Sequence, residues 1–307
     1  MGDTGLEGRI RAALAAEGGR LERALFGTDD PSAVAAQVEA CCRERLGEPT
    51  VARAYVPGVG LVVSLGLPAP RPLAPPTALG TGVATFEADL PGDAGPWRRA
   101  TVAAGLHRLV EAARDLDADV GDPLLRRPPG APLWPEPHDV RFDLDGTTAG
   151  AEWIDELGRA ARDRLDAAWD AAPAVVGHFD WRVQNLGFGD GGIVAVYDWD
   201  SIARAPEAVT VGCAAGTYRI DWRLLEEDPL PTVEDMAGFV ADYEAARGRP
   251  FDDGERELLD AANLAHLAYG ARCQHADLVA STGFGGSTDV GFLRLLRQRG
   301  ERFLATG

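Results

Sequence analysis

The sequence predicts an α+β chain of two unequal lobes, a small mixed lobe over residues 1–87 and a larger, mainly helical lobe over 88–307. Three observations lead there. Alternating, β-branched stretches cluster at residues 50–65 and 83–87, the pattern of half-buried strands. Apolar residues at helical spacing dominate from residue 98 onward. Between the early strands, residues 67–76 carry Pro68, Pro70, Pro72, Pro75 and Pro76. Each proline disfavours helix for the residue before it, so this segment is expected to be an extended linker.

The elements follow in order. Residues 4–26 place Leu6, Ile10, Leu14, Leu21 and Leu25 at helical spacing, interrupted by Gly18-Gly19, which predicts one or two helices. The next helix covers residues 31–46: Asp30 can cap it, Pro31 is pre-set for its first position, and Gly47 ends it. Two strands joined at Pro57-Gly58 are expected within 50–65, and a further strand pair ends at 83–87. An amphipathic helix is expected over 98–116, a proline-rich loop to Pro137, and another helix over 149–169. Two short strands flank Gly189-Asp190-Gly191-Gly192, and the last third reads as helices over 232–246, 252–280 and 291–304.

Charge narrows the function. The 307 residues hold 48 acidic and 30 basic side chains, a formal charge of −18, so phosphate-rich nucleic acid is not an expected partner. All 30 basic residues are arginine. A chain without lysine can form no Schiff base and has no Walker lysine. The longest apolar runs, residues 59–67 and 191–196, fall well short of the ~20 needed to span a bilayer. No basic segment followed by an apolar one opens the chain, so a cytoplasmic location without membrane contact is the expectation. Cys41, Cys42, Cys213 and Cys273 make no CxxC pair and are expected to be buried thiols.

The run Val175-Val176-Gly177-His178-Phe179-Asp180-Trp181-Arg182-Val183-Gln184-Asn185, followed by Ile193-Val194-Ala195-Val196-Tyr197-Asp198-Trp199-Asp200, carries the chemistry. An apolar strand delivers His178 and Asp180 to a loop, and Asn185 opens a hairpin that turns at 189–192. With the turn centred between Asp190 and Gly191, Asn185 falls opposite Val196, and Asp198 lies one or two residues further along. Opposed strand residues sit about 4.5–5.5 Å apart. An amide oxygen and a carboxylate so placed can share a hard divalent cation, leaving Asp180 to accept a proton from a substrate hydroxyl. Phosphoryl transfer needs this combination, because its catalysis is mostly positioning and charge neutralisation.

The pattern HxDxxxxN, about a dozen residues, then DWD resembles the aminoglycoside phosphotransferase and choline kinase family of phosphotransferase enzymes. Residues 67–72, 86–92 (Phe86-Glu87-Ala88-Asp89-Leu90-Pro91-Gly92) and 104–109 resemble its linker, its hinge and its first large-lobe helix. The resemblance implies a bilobal protein-kinase-like fold with a small, reduced N-lobe. It implies Asp180 as catalytic base, His178 as an orienter of the loop, Asn185 and Asp198 as Mg2+ ligands, and Asp200 as a second acid near the metal. The backbone at Glu87 and Ala88 would meet the base of ATP or GTP. The implied activity is transfer of a phosphoryl group from a nucleoside triphosphate to a small-molecule hydroxyl.

Before residue 67 the sequence departs from the family, which would place a phosphate-binding lysine strand and a helix where residues 61–66 run straight into the proline segment. Val56-Pro57-Gly58-Val59-Gly60 is the candidate glycine turn, with Gly58 and Gly60 against the phosphates. Arg53 is the candidate replacement for the lysine, paired by Glu39 or Glu44. Two alternatives stay open: a pseudokinase-like binding or regulatory protein, and a different enzyme on the same fold. On the acceptor side Asp221 could attract a cationic amine and Trp181, Trp199 and Trp222 could offer stacking faces. His107, His138 and the Cys273-Gln274-His275 run read as structural, since two ligands do not make a zinc site.

Overall fold

The computed structural model describes residues 6–17, 20–46, 70, 72–87, 96–116, 120–137, 142–190, 192–221, 230–280 and 291–305. The first helices are α1 (Leu6–Glu17), α2 (Arg20–Phe26) and α3 (Pro31–Leu46). Asp30 caps α3, its Oδ1 accepting from the Ser32 amide at 3.2 Å. Leu6, Ile10, Val34 and Ala35 form a small apolar cluster between α1 and α3.

Strands β1 (Pro72–Leu79) and β2 (Gly82–Glu87) pair antiparallel. The expected linker therefore ends earlier than its prolines suggest, because Pro72, Pro75 and Pro76 lie inside β1. Proline cannot donate to a ladder, and the register shifts between Pro72 and Ala74 and again between Ala74 and Thr77. The strands expected within 50–65 lie outside the described residues.

The large core lies in the elements from α4 onward. Helix α4 (Arg99–Ala112) precedes the proline-rich loop, which leads to α5 (Glu152–Ala168). Ile154, Leu157, Ala161 and Leu165 line the buried stripe of α5. Strand β3 (Ala174–His178) runs into the loop that holds Asp180. It pairs with β6 (Ile202–Pro206), and between them lies the hairpin of β4 (Leu186–Gly189) and β5 (Gly192–Val196). Strand β6 was not among the elements expected from the sequence. Here α6 begins at Glu207, immediately after Pro206 closes the strand, and extends to Thr217.

Helices α7 (Val233–Arg247), α8 (Asp253–Ala280) and α9 (Gly291–Ala305) follow. Helix α7 opens on a capping box between Thr232 and Asp235 and closes on Gly248, which adopts φ 77°. Helix α6 is buried along nearly its whole length, with small residues where it crosses α8; a Cβ on Gly212 would collide with the Leu259 carbonyl oxygen. All four cysteines are buried free thiols. Among the described residues no helix is long and apolar enough to cross a membrane.

One ion cluster fastens α6, α7 and α8. Arg247, whose side chain is 5% exposed, holds Glu207 at 2.9 Å and Glu255 at 2.5 Å, and Arg249 reaches Glu255 at 3.0 Å. Burial disfavours the Glu255 charge, but the hydrogen bonds from Arg247 and Arg249 prevail and pull its carboxyl down to about 2. Its folded value lies below its unfolded one, so this contribution is present above about pH 4 and fades as pH falls toward 2. Glu255→Gln is expected to destabilise the protein by about 2–4 kcal/mol at pH 7, because it leaves Arg247 under-compensated. Urea unfolding should show that difference shrinking at pH 3; a gap that stays constant with pH would remove the ion pair as its cause.

Candidate active site

The Asp180 loop is held on both sides. Phe179 N–H donates to the Ser201 carbonyl at 2.8 Å, extending the β3–β6 ladder by one bond. His178 is 1% exposed, and its ring bridges the two loops of the site. The Asp180 amide donates to His178 Nδ1 at 3.2 Å. Nε2 must then carry the ring proton and donate to the Tyr197 carbonyl at 3.0 Å. Burial outweighs that carbonyl and the nearby Asp180 and keeps the imidazole below its ordinary value, hence neutral. Trp181 and Trp199 flank the ring, their centroids 5.6 and 6.1 Å away.

The hairpin sets the opposite side. Its end follows the expected register, Gly189 opposite Gly192, but an irregularity between Gly187 and Phe188 shifts the rest by one, so Leu186 rather than Asn185 faces Val196. Asn185 instead accepts from the Tyr197 amide at 2.9 Å, and Asp198 is the next residue along. Asp198 has φ 63° and ψ 46°, and is the single non-glycine residue at positive φ among those described. Asp tolerates this left-handed turn better than most side chains.

These two sides meet through Asn185, which is 7% exposed. Its Nδ2 donates to Asp180 Oδ2 at 2.9 Å, to the Asp180 carbonyl at 2.9 Å and to Asp198 Oδ2 at 3.1 Å. Asp180 Oδ2 also meets Arg182, whose Nη2 lies 2.9 Å away. Burial would raise the Asp180 carboxyl, but Arg182 and its hydrogen-bond donors hold it below the usual range. Asp198 moves the other way: burial, then Asp180 and Asp200, push it up to about 8.

No group of three His, Cys, Asp or Glu side chains among the described residues forms a ready metal cage. The donors present still suit one kind of ion. Two carboxylates and an amide crowd together, with neutral N–H groups filling the space between the acids. A cation would relieve that crowding, and a hard ion that retains several waters, as Mg2+ does, needs few protein ligands.

The other candidates divide. Asp200 is exposed beside Asp198. Trp181 offers no stacking face: it is 1% exposed, and its Nε1 donates to the Val102 carbonyl of α4 at 2.9 Å. Gly105 permits that approach, since a Cβ there would press on Trp181 and Ile193. Trp199 is 3% exposed and bonded to the Val196 carbonyl. Asp221 is also inside the lobe, 5% exposed, and cannot present its carboxylate to a passing amine. Alternation in a loop gives no signal of burial, so the aromatic count misled. Trp181→Phe is accordingly expected to lower stability by about 1–3 kcal/mol through the lost volume and hydrogen bond, with KM for any acceptor unchanged. A selective KM effect at constant melting temperature would restore the stacking role. Glu87 ends β2 opposite Pro72; Ala88, Arg53, Gly58, Gly60 and Trp222 lie outside the described residues.

Two residues near Asp180 escaped the sequence reading. Arg182 is one. The other is His266 on α8, whose charged neighbours are Asp180 and Arg182 and whose imidazole is brought down to about 4, chiefly by burial. Its only sequence signal is a polar position one turn after Asn263 on an otherwise apolar helix face.

This loop and hairpin, set on a mainly helical lobe, belong to a known class. The model of the phosphotransferase enzyme family, APH, matches residues 59–259, and the chain belongs to that family. Similar solved structures include a microcompartment-associated aminopropanol kinase, 16% identical, covering 78% of this chain and 77% of that one at a TM-score of 0.49. Choline kinase from Cryptosporidium parvum Iowa II is 13% identical over 78% of this chain and 75% of its own, TM-score 0.43. Plasmodium vivax ethanolamine kinase is 12% identical over 76% and 68%, TM-score 0.43. No curated protein matches the chain.

Proposed function

We propose that the protein is a small-molecule phosphotransferase that moves the terminal phosphoryl group of ATP or GTP to a substrate hydroxyl. The observation that carries this reading is the Asn185 amide, one nitrogen bonded to both Asp180 and Asp198. It sets the carboxyl groups of Asp180 and Asp198 one side chain apart on a chain of the phosphotransferase family, which supports reading the first as proton acceptor and the second as cation-binding acid. Asn185 and Asp198, with Asp200 beside them, would hold Mg2+, which when bound neutralises the phosphates. Asp180 orients the acceptor hydroxyl and takes its proton, and neutral His178 fixes the loop without titrating. Residues 1–87 form the small lobe and 88–307 the catalytic one, with Glu87 and Ala88 at the nucleotide base. The acceptor is a hydroxylated small molecule, and exposed Asp200 together with the acidic surface favours an amine-bearing one.

Calorimetric and thermal-shift titration with Mg-ATP and Mg-GTP tests the reading. Binding at 100 times Kd stabilises the fold by about 2.7 kcal/mol and raises the melting temperature accordingly. Neither heat nor shift at millimolar nucleotide would overturn the kinase reading. The lysine-free sequence specifically favours a second one, a pseudokinase-like binding protein. Nucleotide binding with no transfer across a panel of amino alcohols and aminoglycosides would select it.

A further inference from the structure

We propose that Arg182 is the cation that meets the transferred phosphoryl group, doing from the Asp180 loop what a lysine would do elsewhere in a chain that has none. The inference rests on the phosphotransferase reading and adds a residue that neither the motif nor the family match assigns.

Arg182 stands two residues after Asp180, and its Nη2 lies 2.9 Å from Asp180 Oδ2. Its side chain is 21% exposed, so the head is largely withdrawn from water and still reachable from the site. Its Nε–H is buried and makes no hydrogen bond. A buried donor without an acceptor is unfavourable by about 1–3 kcal/mol and is uncommon in folded proteins. Here the orphan donor sits on the same planar fork as the group that touches the base. A guanidinium presents Nε–H and Nη–H side by side, the spacing that two oxygens of a phosphoryl group fit. The Nε of Arg127 and of Arg272 is also buried without a hydrogen bond, but neither stands on the Asp180 loop; Arg99 is held by Asp242, Arg219 by Asp235, Arg247 by Glu207 and Glu255, and Arg299 by Asp260.

The chemistry gives the ion pair a purpose. In transfer, the acceptor oxygen bonds to the terminal phosphorus while the bond from phosphorus to the bridging oxygen breaks. The bridging electron pair leaves with the nucleoside diphosphate, and the acceptor proton passes to Asp180. Negative charge is spread over the three non-bridging oxygens during this exchange. A guanidinium that turns from the Asp180 carboxylate to those oxygens satisfies its orphan Nε–H and stabilises the charge.

The test uses two nucleotides that differ only in the group Arg182 is said to touch. Binding of Mg-ATP and Mg-ADP to the full chain is measured by calorimetry for wild type, Arg182→Gln and Arg182→Lys. Arg182→Gln is expected to weaken Mg-ATP at least tenfold with Mg-ADP unchanged within twofold. Arg182→Lys, which keeps the charge and loses the fork, is expected to retain part of the ATP preference, and it serves alone if the Gln variant fails to fold. Equal weakening of both nucleotides, or of neither, would overturn the proposal and leave Arg182 a structural partner of Asp180. Wild type that binds neither nucleotide would overturn the phosphotransferase reading itself, and this proposal with it.

Discussion

Asp180→Asn is expected to lower the rate of phosphoryl transfer by about 10²- to 10⁴-fold, the range a positioned general base supplies. The substitution keeps the shape and one oxygen able to accept from Asn185, so the loop should hold its place. His178 anchors the loop through the Asp180 backbone amide, which the substitution does not touch. The variant does leave Arg182 without its carboxylate, and because that guanidinium is largely withdrawn from water the expected loss of stability is about 1–3 kcal/mol. Nucleotide affinity should change far less than turnover. Steady-state kinetics beside a melting curve decide the matter: turnover within twofold of wild type would remove Asp180 from the base role.

Asp198→Asn should push stability and activity in opposite directions. In the metal-free protein Asp198 shares its surroundings with Asp180 and Asp200 and holds its proton up to about pH 8. Its folded value therefore stands above the unfolded one. Both forms are protonated at low pH, so the crowding does no harm there, and it weakens the fold progressively as pH rises from about 4 through 8. Asn removes one charge of three and accepts the left-handed backbone at this position. Asp198 is exposed as a residue although its carboxyl is hemmed in beside Asp180 and Asp200, so solvent screens much of the effect, and a gain of about 1 kcal/mol, or 2–4 °C in melting temperature, is the expected scale. The gain should be visible at pH 8 and vanish near pH 4. The same variant should lose Mg2+-dependent nucleotide binding altogether. A variant that is destabilised at pH 8 without metal would refute the crowding account, and one that retains Mg2+-dependent binding would remove Asp198 as a ligand.

Much of this was legible in sequence because it depends on spacing. The helices after residue 98 are amphipathic or capped by recognisable residues, and the capping box at Thr232 and the glycine at 248 mark the bounds of α7. The interval between Asn185 and Asp198 is fixed by a short hairpin, so one turn position sufficed to bring them together; only the irregularity after Gly187 was invisible. What failed depended on depth. Trp181 and Asp221 look like surface chemistry in a loop, yet α4 covers Trp181 and both are buried, and nothing local in the chain encodes that cover. The Pro-rich β1 was masked for the opposite reason: local chemistry argues against a strand, and pairing with β2 overrides it through two shifts of register. Arg182 and His266 were missed because each is ordinary in its own segment and informative only beside Asp180.

The His178 ring joins two segments that are separated by a whole hairpin, and Phe179 and Asn185 add backbone bonds to Ser201 and Tyr197 across the same gap. Residues 178–185 and 197–201 therefore open and close as one cooperative unit. Amide hydrogen exchange should report this directly, with the Asp180, Tyr197 and Phe179 amides sharing a single protection factor and losing it together when His178 is replaced. Thermal agitation that frees Asp180 would free Asp198 in the same event, so the two sides of the loop and hairpin would be assembled or dismantled together.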